Sequence, residues 1–243
     1  MKHIKFIILI AFTLSACGTY QLSKQQTDYY LVAETPNKDN DITAIIAPYK
    51  AALDEKMNEV VGNTTGELVK AKPSGSLNNF MADAIYDIAF ETYGDTIDFA
   101  ITNYGGIRIP TIAAGEITRG KLFELMPFEN SLVVLELKGT VLEQWLAKIA
   151  YDGGWATTDH LSLGIDTLNN QHQYLLQEQP IDPNETYVVC TSDYIAKGGD
   201  QCDFLKDQTM IDLEVLLRDA LIEYVSRTKV IEPDNRQRTY FIF

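Results

Sequence analysis

Two short apolar runs, residues 97–102 and 187–192, each pass straight into a polar segment built on a glycine pair. Both are too short and too rich in β-formers to be helices, so each reads as a strand whose C-terminal end delivers a motif. The first motif is Asn103-Tyr104-Gly105-Gly106-Ile107-Arg108. Its glycines can take positive φ and let a ligand approach the backbone. Arg108 then offers a planar fork of donors suited to phosphate or carboxylate, which a lysine point charge does not reproduce. The same six residues also fit a glycine turn with a surface arginine. The second motif, Ser192-Asp193-Tyr194-Ile195-Ala196-Lys197-Gly198-Gly199-Asp200, ends in a carboxylate. Asp200 can accept two hydrogen bonds from a vicinal diol, or it can be a solvated turn aspartate.

Helical periods surround these strands. Asp41 can cap a helix whose apolar face is Ile42, Ile45, Ile46, Tyr49, Leu53, Met57 and Val60. A second helix carries Leu77, Phe80, Met81, Ala84, Ile85 and Ile88 and stops near Gly94. Thr118 can begin a short third helix that ends before Pro127. Residues 131–138 alternate as a strand, and Thr140-x-x-Glu143 forms a candidate capping box for a helix over 141–151. Between 152 and 184 the pattern is weak, with a strand expected at 174–177. Asp212 is expected to cap a last helix over 213–226, and 239–243 to close the chain as a strand. Helices and strands interleave without a regular βαβ rhythm, which points to an α+β fold, a single mixed layered domain.

The N-terminus carries a different signal. Lys2 and Lys5 precede the apolar residues 6–14, and Leu14-Ser15-Ala16-Cys17 follows with small residues before a cysteine, the layout of an export signal with a processing site. That apolar stretch is too short to remain as a spanning helix. The four residues ending in Cys17 resemble the lipobox of bacterial lipoproteins, in which the cysteine is acylated; the alternative is an ordinary signal peptide with an incidental cysteine. The expected organisation is a signal peptide over 1–16, a flexible tether over 17–40 from acylated Cys17, and a folded domain over 41–243. Such a protein is lipid-anchored to the cell envelope, on its periplasmic or cell-surface face.

Loss of residues 1–16 removes Lys2 and Lys5, so the net charge of -14 becomes -16. A chain this acidic is not expected to bind a nucleic-acid polymer, whose affinity comes mainly from neutralised phosphates. Any phosphate must be held locally, by a few basic residues set against the overall field. Cys190 and Cys202 can form a disulfide in an exported protein, but two cysteines are a weak signal.

Two more segments bear on a site. Pro127-Phe128-Glu129-Asn130 sets a ring and an amide at a helix-to-strand turn, where they can face a ligand or fill the core. Asn79 and Asp83, one helical turn apart, can line a site or hold the helix and its neighbours.

In their order along the chain, Asn79-Phe80-Met81-Ala82-Asp83-Ala84, Asn103-x-Gly-Gly-Ile-Arg108, Pro127-Phe128-x-Asn130 and Asp193-Tyr194-x-Ala-x-Gly-Gly-Asp200 together resemble the C-terminal domain of the 5'-nucleotidase family. The resemblance covers roughly residues 41–243. It implies that domain's layered fold and its role as the substrate-specificity half, which clamps a nucleoside while a separate metallophosphatase domain cuts the phosphate ester. By motif, Phe128 and Tyr194 would sandwich the base, with Asn130 in the same motif as Phe128. Asn103 would meet the base, Asp200 the ribose hydroxyls and Arg108 the phosphate. Tyr194 stands where the family usually has Phe. Two departures stand beside the match. Some members place further arginines upstream of the Asn79 helix, where this chain has only Lys70 and Lys72; and the family's usual Gly-Gly-Asp-Gly-aromatic reads Gly199-Asp200-Gln201-Cys202 here.

A two-metal phosphatase needs His, Asp and Asn ligands from several loops to hold ions about 4 Å apart. Beyond residue 16 the sequence has only His160 and His172, with no Asp-x-His, Asn-His-Glu or His-x-His pattern. Asp159, His160 and His172 fit a lone metal site or plain surface loops. No Gly-x-Ser-x-Gly elbow is present, and no cysteine is paired with an evident base. The expected function is therefore a nucleoside- or nucleotide-binding specificity domain with no cofactor of its own, working with a separate metallophosphatase chain that supplies the divalent metals. Two readings stay open beside it: a stand-alone nucleoside-binding lipoprotein for uptake, and an independent hydrolase with an unrecognised centre.

Overall fold

Alternation along residues 131–138 means here that both faces of the strand are covered. In the computed structural model, which describes residues 40–169 and 171–243, Leu132 and Val134 pack into one hydrophobic cluster and Val133, Leu135 and Leu137 into another. The expected signal peptide, Cys17 and the expected tether over 17–40, all but its last residue, lie outside the described residues. The chain divides into units Met1–Ile45 and Ile46–Phe243; of the first, only the start of a helix is described.

In chain order the elements are α1 (Asn40–Met57), β1 (Val60–Thr64), β2 (Leu68–Val69), α2 (Ser76–Tyr93), β3 (Phe99–Thr102), β4 (Thr111–Ile112) and β5 (Gly115–Thr118). They continue with α3 (Arg119–Leu125), β6 (Ser131–Lys138), α4 (Gly139–Tyr151), β7 (Ala156–Thr157), β8 (Leu161–Asp166), β9 (Gln173–Leu176) and β10 (Gln179–Pro180). The last are β11 (Thr186–Ser192), α5 (Asp193–Ala196), β12 (Thr209–Leu216), α6 (Leu217–Thr228), β13 (Val230–Ile231) and β14 (Thr239–Ile242). The fold is α+β, as expected.

A five-stranded sheet, β12-β6-β11-β3-β7, forms the middle layer. Its period-2 side chains sort onto two faces. Ala100, Leu132, Val134 and Cys190 meet α2 and α6 on one side. Phe99, Ile101, Val133, Leu135 and Val189 meet α4 and the sheet β10-β9-β8-β14 on the other. Helix α2 buries Leu77, Phe80, Met81, Ala84, Ile85 and Ile88 at helical spacing and ends at Gly94, whose φ of 71° is the left-handed turn that glycine takes without strain. Helix α3 starts as its sequence indicates, with the Thr118 side chain accepting from the Lys121 N–H.

Three helix readings give way at their ends. Helix α1 begins at Asn40, so Asp41 sits within its first turn, where a carboxylate favours the dipole, and Val60 starts a strand. Helix α4 begins at Gly139 with no side-chain cap, which puts Thr140 inside the first turn and removes the capping box. Asp212 caps no helix: β12 runs on to Leu216, and Asp212 Oδ1 instead accepts from the Glu214 N–H at a bulge where Glu214 has φ 57°. Cys190 and Cys202 are free and buried, one in each cluster; burial raises both thiols, Cys202 to about 12. No helix among the described residues is long and apolar enough to cross a membrane.

Candidate nucleoside-binding site

Strand directions bring three distant segments to one edge of the central sheet. β11 runs parallel to β3 with Cys190 opposite Ala100, so Asn103 and Asp193 leave the same edge. β6 runs antiparallel to β11 with Leu132 opposite Ser192, so the turn Phe128-Glu129-Asn130, which enters β6, arrives there too. Ligands of open sheets characteristically bind outside the carboxyl ends of parallel strands. At this edge lies a cavity of about 270 Å³. All six residues singled out in the sequence, Asn103, Arg108, Phe128, Asn130, Tyr194 and Asp200, line it.

The glycine pairs shape its walls. Gly105 and Gly106 form a single 3-10 turn after Asn103, and a Cβ on Gly106 would stand 2.8 Å from Asn103 Oδ1. Only glycine lets the Asn103 amide fold back over the turn. In the second motif, a Cβ on Gly199 would lie 2.5 Å from the Tyr194 ring. Gly198 at φ 91° and Asp200 at φ 50° reverse the chain, so the Asp200 carboxylate returns toward that ring. Aspartate is among the few residues besides glycine that tolerate this conformation.

Polar contacts then fix the carboxylate. Asn103 Nδ2 donates to Asp200 Oδ2 at 2.7 Å, and the Tyr194 hydroxyl donates to Asp200 Oδ1 at 2.9 Å. The hydrogen bond to Asp200, aided by burial, raises the Tyr194 hydroxyl above its ordinary pKa. Phe128 and Tyr194 are 40% and 46% exposed, which leaves their faces open to a planar ligand. Arg108 donates to the Gly105 carbonyl, and its guanidinium carbon lies 5.5 Å from the Phe128 ring centre.

Lys70 and Lys72 stand beside the first motif, over Tyr104, and do not line the cavity. The α2 start holds the segment that carries them: the Val69 N–H donates to Ser76 Oγ, and the Asn78 amide pairs with both backbone groups of Ala71. Lys70 Nζ donates to the Ile107 carbonyl at 2.7 Å and stands 3.9 Å over the Tyr104 ring, with Lys72 Nζ 4.8 Å from the same ring. Burial lowers the Lys70 pKa, and the neighbouring charges of Arg108 and Lys72 lower it further. A chain of net charge -14 thus gathers three cations beside the first motif.

The remaining candidates serve elsewhere. Asn79 Nδ2 donates to the carbonyls of Asp234 and Arg236, and Asp83 takes both Arg238 Nη atoms at 2.6 Å. Arg238, its side chain 3% exposed, also donates to Asp234 Oδ2 and the Thr157 carbonyl. Asn79 and Asp83 therefore fasten the C-terminal segment rather than line the cavity. Burial raises the Asp83 pKa against the pull of Arg238; Asp234 is also pushed up by burial, but donors from Arg236 and Arg238 outweigh that and hold it well below the usual carboxylate range. Asp159 pairs with Arg236, the His160 ring packs 4.9 Å from that of Tyr86, and His172 Nδ1 accepts from the Asp166 N–H. Among the described residues no three His, Cys, Asp or Glu side chains are grouped to hold a metal ion. The sequence did not mark Met126 and Ser192 as lining residues. Their signal is position alone, one directly before Pro127-Phe128 and the other at the last residue of β11.

Comparison with known proteins bears on the family and the fold. Residues 60–207 match the family described as 5'-nucleotidase, C-terminal domain. The protein UshA of Yersinia enterocolitica is 31% identical over 70% of this chain and 30% of its own length. The trifunctional nucleotide phosphoesterase protein YfkN of Bacillus subtilis is 32% identical over 75% of this chain and 14% of its own. The crystal structure of a 5'-nucleotidase precursor from Thermus thermophilus superposes with a TM-score of 0.72 at 23% identity, over 84% of this chain and 44% of that one, and so shares the fold. This chain spans less than half the length of each of these relatives. Its family match covers more than half of its residues, and the chain belongs to the 5'-nucleotidase C-terminal domain family.

Proposed function

We propose that this chain is a nucleoside-binding specificity domain of a 5'-nucleotidase-type hydrolase, acting in nucleotide catabolism with a metallophosphatase carried on a separate chain. One observation carries the reading: two half-exposed rings, an anchored carboxylate and a guanidinium from three segments share a single cavity. Phe128 and Tyr194 stack a base, each face contributing about 1 to 3 kcal/mol. Asp200, anchored by Asn103, accepts from the ribose hydroxyls, Asn130 serves the base side, and Arg108 meets a 5'-phosphate.

The hydrolytic step belongs to the partner in this reading. The divalent metals sit there, since this sequence has too few histidines to build a two-metal centre. Helix α1 provides a surface for that partner, with Ile45, Ile46, Tyr49 and Leu53 each more than half exposed on one side. Export and acylation at Cys17 hold the assembly at the envelope membrane.

Calorimetric titration with adenosine and with AMP tests the pocket and its charge together. Binding of both, AMP the tighter, is the expected result; binding of neither removes the proposal. Hydrolysis of AMP by this chain alone with added Mg²⁺, Mn²⁺ or Zn²⁺ would remove its non-catalytic part. Adenosine binding with no phosphatase chain co-purifying from the native source favours a capture protein instead.

A further inference from the structure

The Asp200 carboxylate is held through both of its oxygens, by Tyr194 at Oδ1 and by Asn103 at Oδ2. An ionised carboxylate has about four acceptor positions, so one remains on each oxygen. Two acceptors in a fixed plane match the two donors of a vicinal diol. The Asp200 N–H also reaches the Tyr194 oxygen at 3.3 Å, so the hydroxyl is clasped by the backbone and side chain of one residue. The ring's position over Gly199 allows this, since any larger residue at 199 would push the ring away.

We propose that Tyr194 is a positioning residue for sugar recognition: its hydroxyl, with the Asn103 amide, locks the Asp200 carboxylate so that the site selects ribose over 2'-deoxyribose. The inference rests on the nucleoside reading above and assigns Tyr194 a second role, separate from stacking. An unanchored carboxylate on a left-handed turn can rotate to meet a single hydroxyl and let water fill the other position, which erodes discrimination. An anchored one holds both free acceptors in the plane of the diol, so a 2'-deoxy sugar forfeits one of the two hydrogen bonds, and discrimination follows from that loss.

Tyr194→Phe keeps the ring and removes only the hydroxyl from a half-exposed side chain. The test is calorimetric titration of adenosine and 2'-deoxyadenosine into the wild type, Tyr194→Phe, Asp200→Asn and the double variant. The wild type is expected to favour adenosine, and Tyr194→Phe to shrink that ratio about 3- to 10-fold, the worth of one hydrogen bond. In the Asp200→Asn background the same change is expected to leave the ratio unaltered, because the hydroxyl acts through Asp200. A purely structural or stacking role would weaken both ligands equally and leave the ratio untouched, which overturns the inference. Tighter adenosine binding by Tyr194→Phe also overturns it, because the hydroxyl would then compete with the sugar. Wild-type binding of adenosine without sugar preference removes this inference alone, whereas failure to bind either ligand removes the nucleoside reading with it.

Discussion

Asn103 Nδ2 lies 2.7 Å from Asp200 Oδ2, a bond between residues 97 positions apart that ties the first glycine motif to the second. Asn103 is only 7% exposed, so its amide is a fixed part of the wall. Asn103→Ala should therefore weaken adenosine binding by freeing the Asp200 carboxylate, at most by the worth of that hydrogen bond to a charged group, about 1.5 to 3 kcal/mol. Gly106→Ala should cost a similar amount by a different route, since its Cβ would meet Asn103 Oδ1 at 2.8 Å and displace the amide. Calorimetry checks both, and an unchanged affinity in Gly106→Ala would separate the turn from the site.

Arg108 separates nucleotide from nucleoside. Arg108→Ala should weaken AMP by about 1.5 to 3 kcal/mol and adenosine far less, because only AMP offers a charge-assisted partner. Titration of both ligands into both proteins gives the comparison; equal losses would place the guanidinium against the base or the Phe128 ring.

Arg238 fastens the C-terminal segment to α2 through Asp83 and Asp234. Arg238→Met should destabilise the fold by about 3 to 5 kcal/mol, because it leaves carboxylates without their buried partner. Urea unfolding followed by circular dichroism measures this, and a loss below about 1 kcal/mol would show that the segment is held mainly by β14 pairing with β8.

The same latch has a pH signature. Asp234 titrates below its unfolded value in spite of burial, because Arg236 and Arg238 hold the charged form. Its stabilisation is then complete above the unfolded pKa, about 3.9, and is lost as pH falls through the lower folded value. Asp234→Asn should be less stable than wild type at pH 7, with the gap narrowing below pH of about 4. A gap of constant size across that window would assign the loss to packing.

Helix α1 exposes Ile46, Tyr49 and Leu53. Ile46→Gln and Leu53→Gln should each change unfolding free energy by no more than about 0.5 kcal/mol, as surface substitutions do. A loss of about 2 kcal/mol or more would mean that the helix packs on its own domain.

Local chemistry was legible wherever one residue decides one turn. Thr118 starts α3, Gly94 ends α2, and the alternation of residues 131–138 gives a strand. The same reasoning misplaces Asp212 and Thr140, since an aspartate before an apolar run caps a bulge as readily as a helix, and Gly139 begins α4 without any cap. The six residues that line the cavity were legible as a group because four follow the ends of β3 and β11 and two lead into β6, strands that the sheet brings together. What could not be read was any partner chosen by the tertiary fold: Asp83 and Arg238 are 155 positions apart, and Tyr194 meets Asp200 only because the turn at Gly198 and Gly199 folds back.

A crystal structure of the protein soaked with adenosine tests the central claim most directly. The account predicts purine density between Phe128 and Tyr194, with both ribose hydroxyls within hydrogen-bond reach of Asp200. Density bound elsewhere, or a cavity left without nucleoside at saturating adenosine, would contradict it.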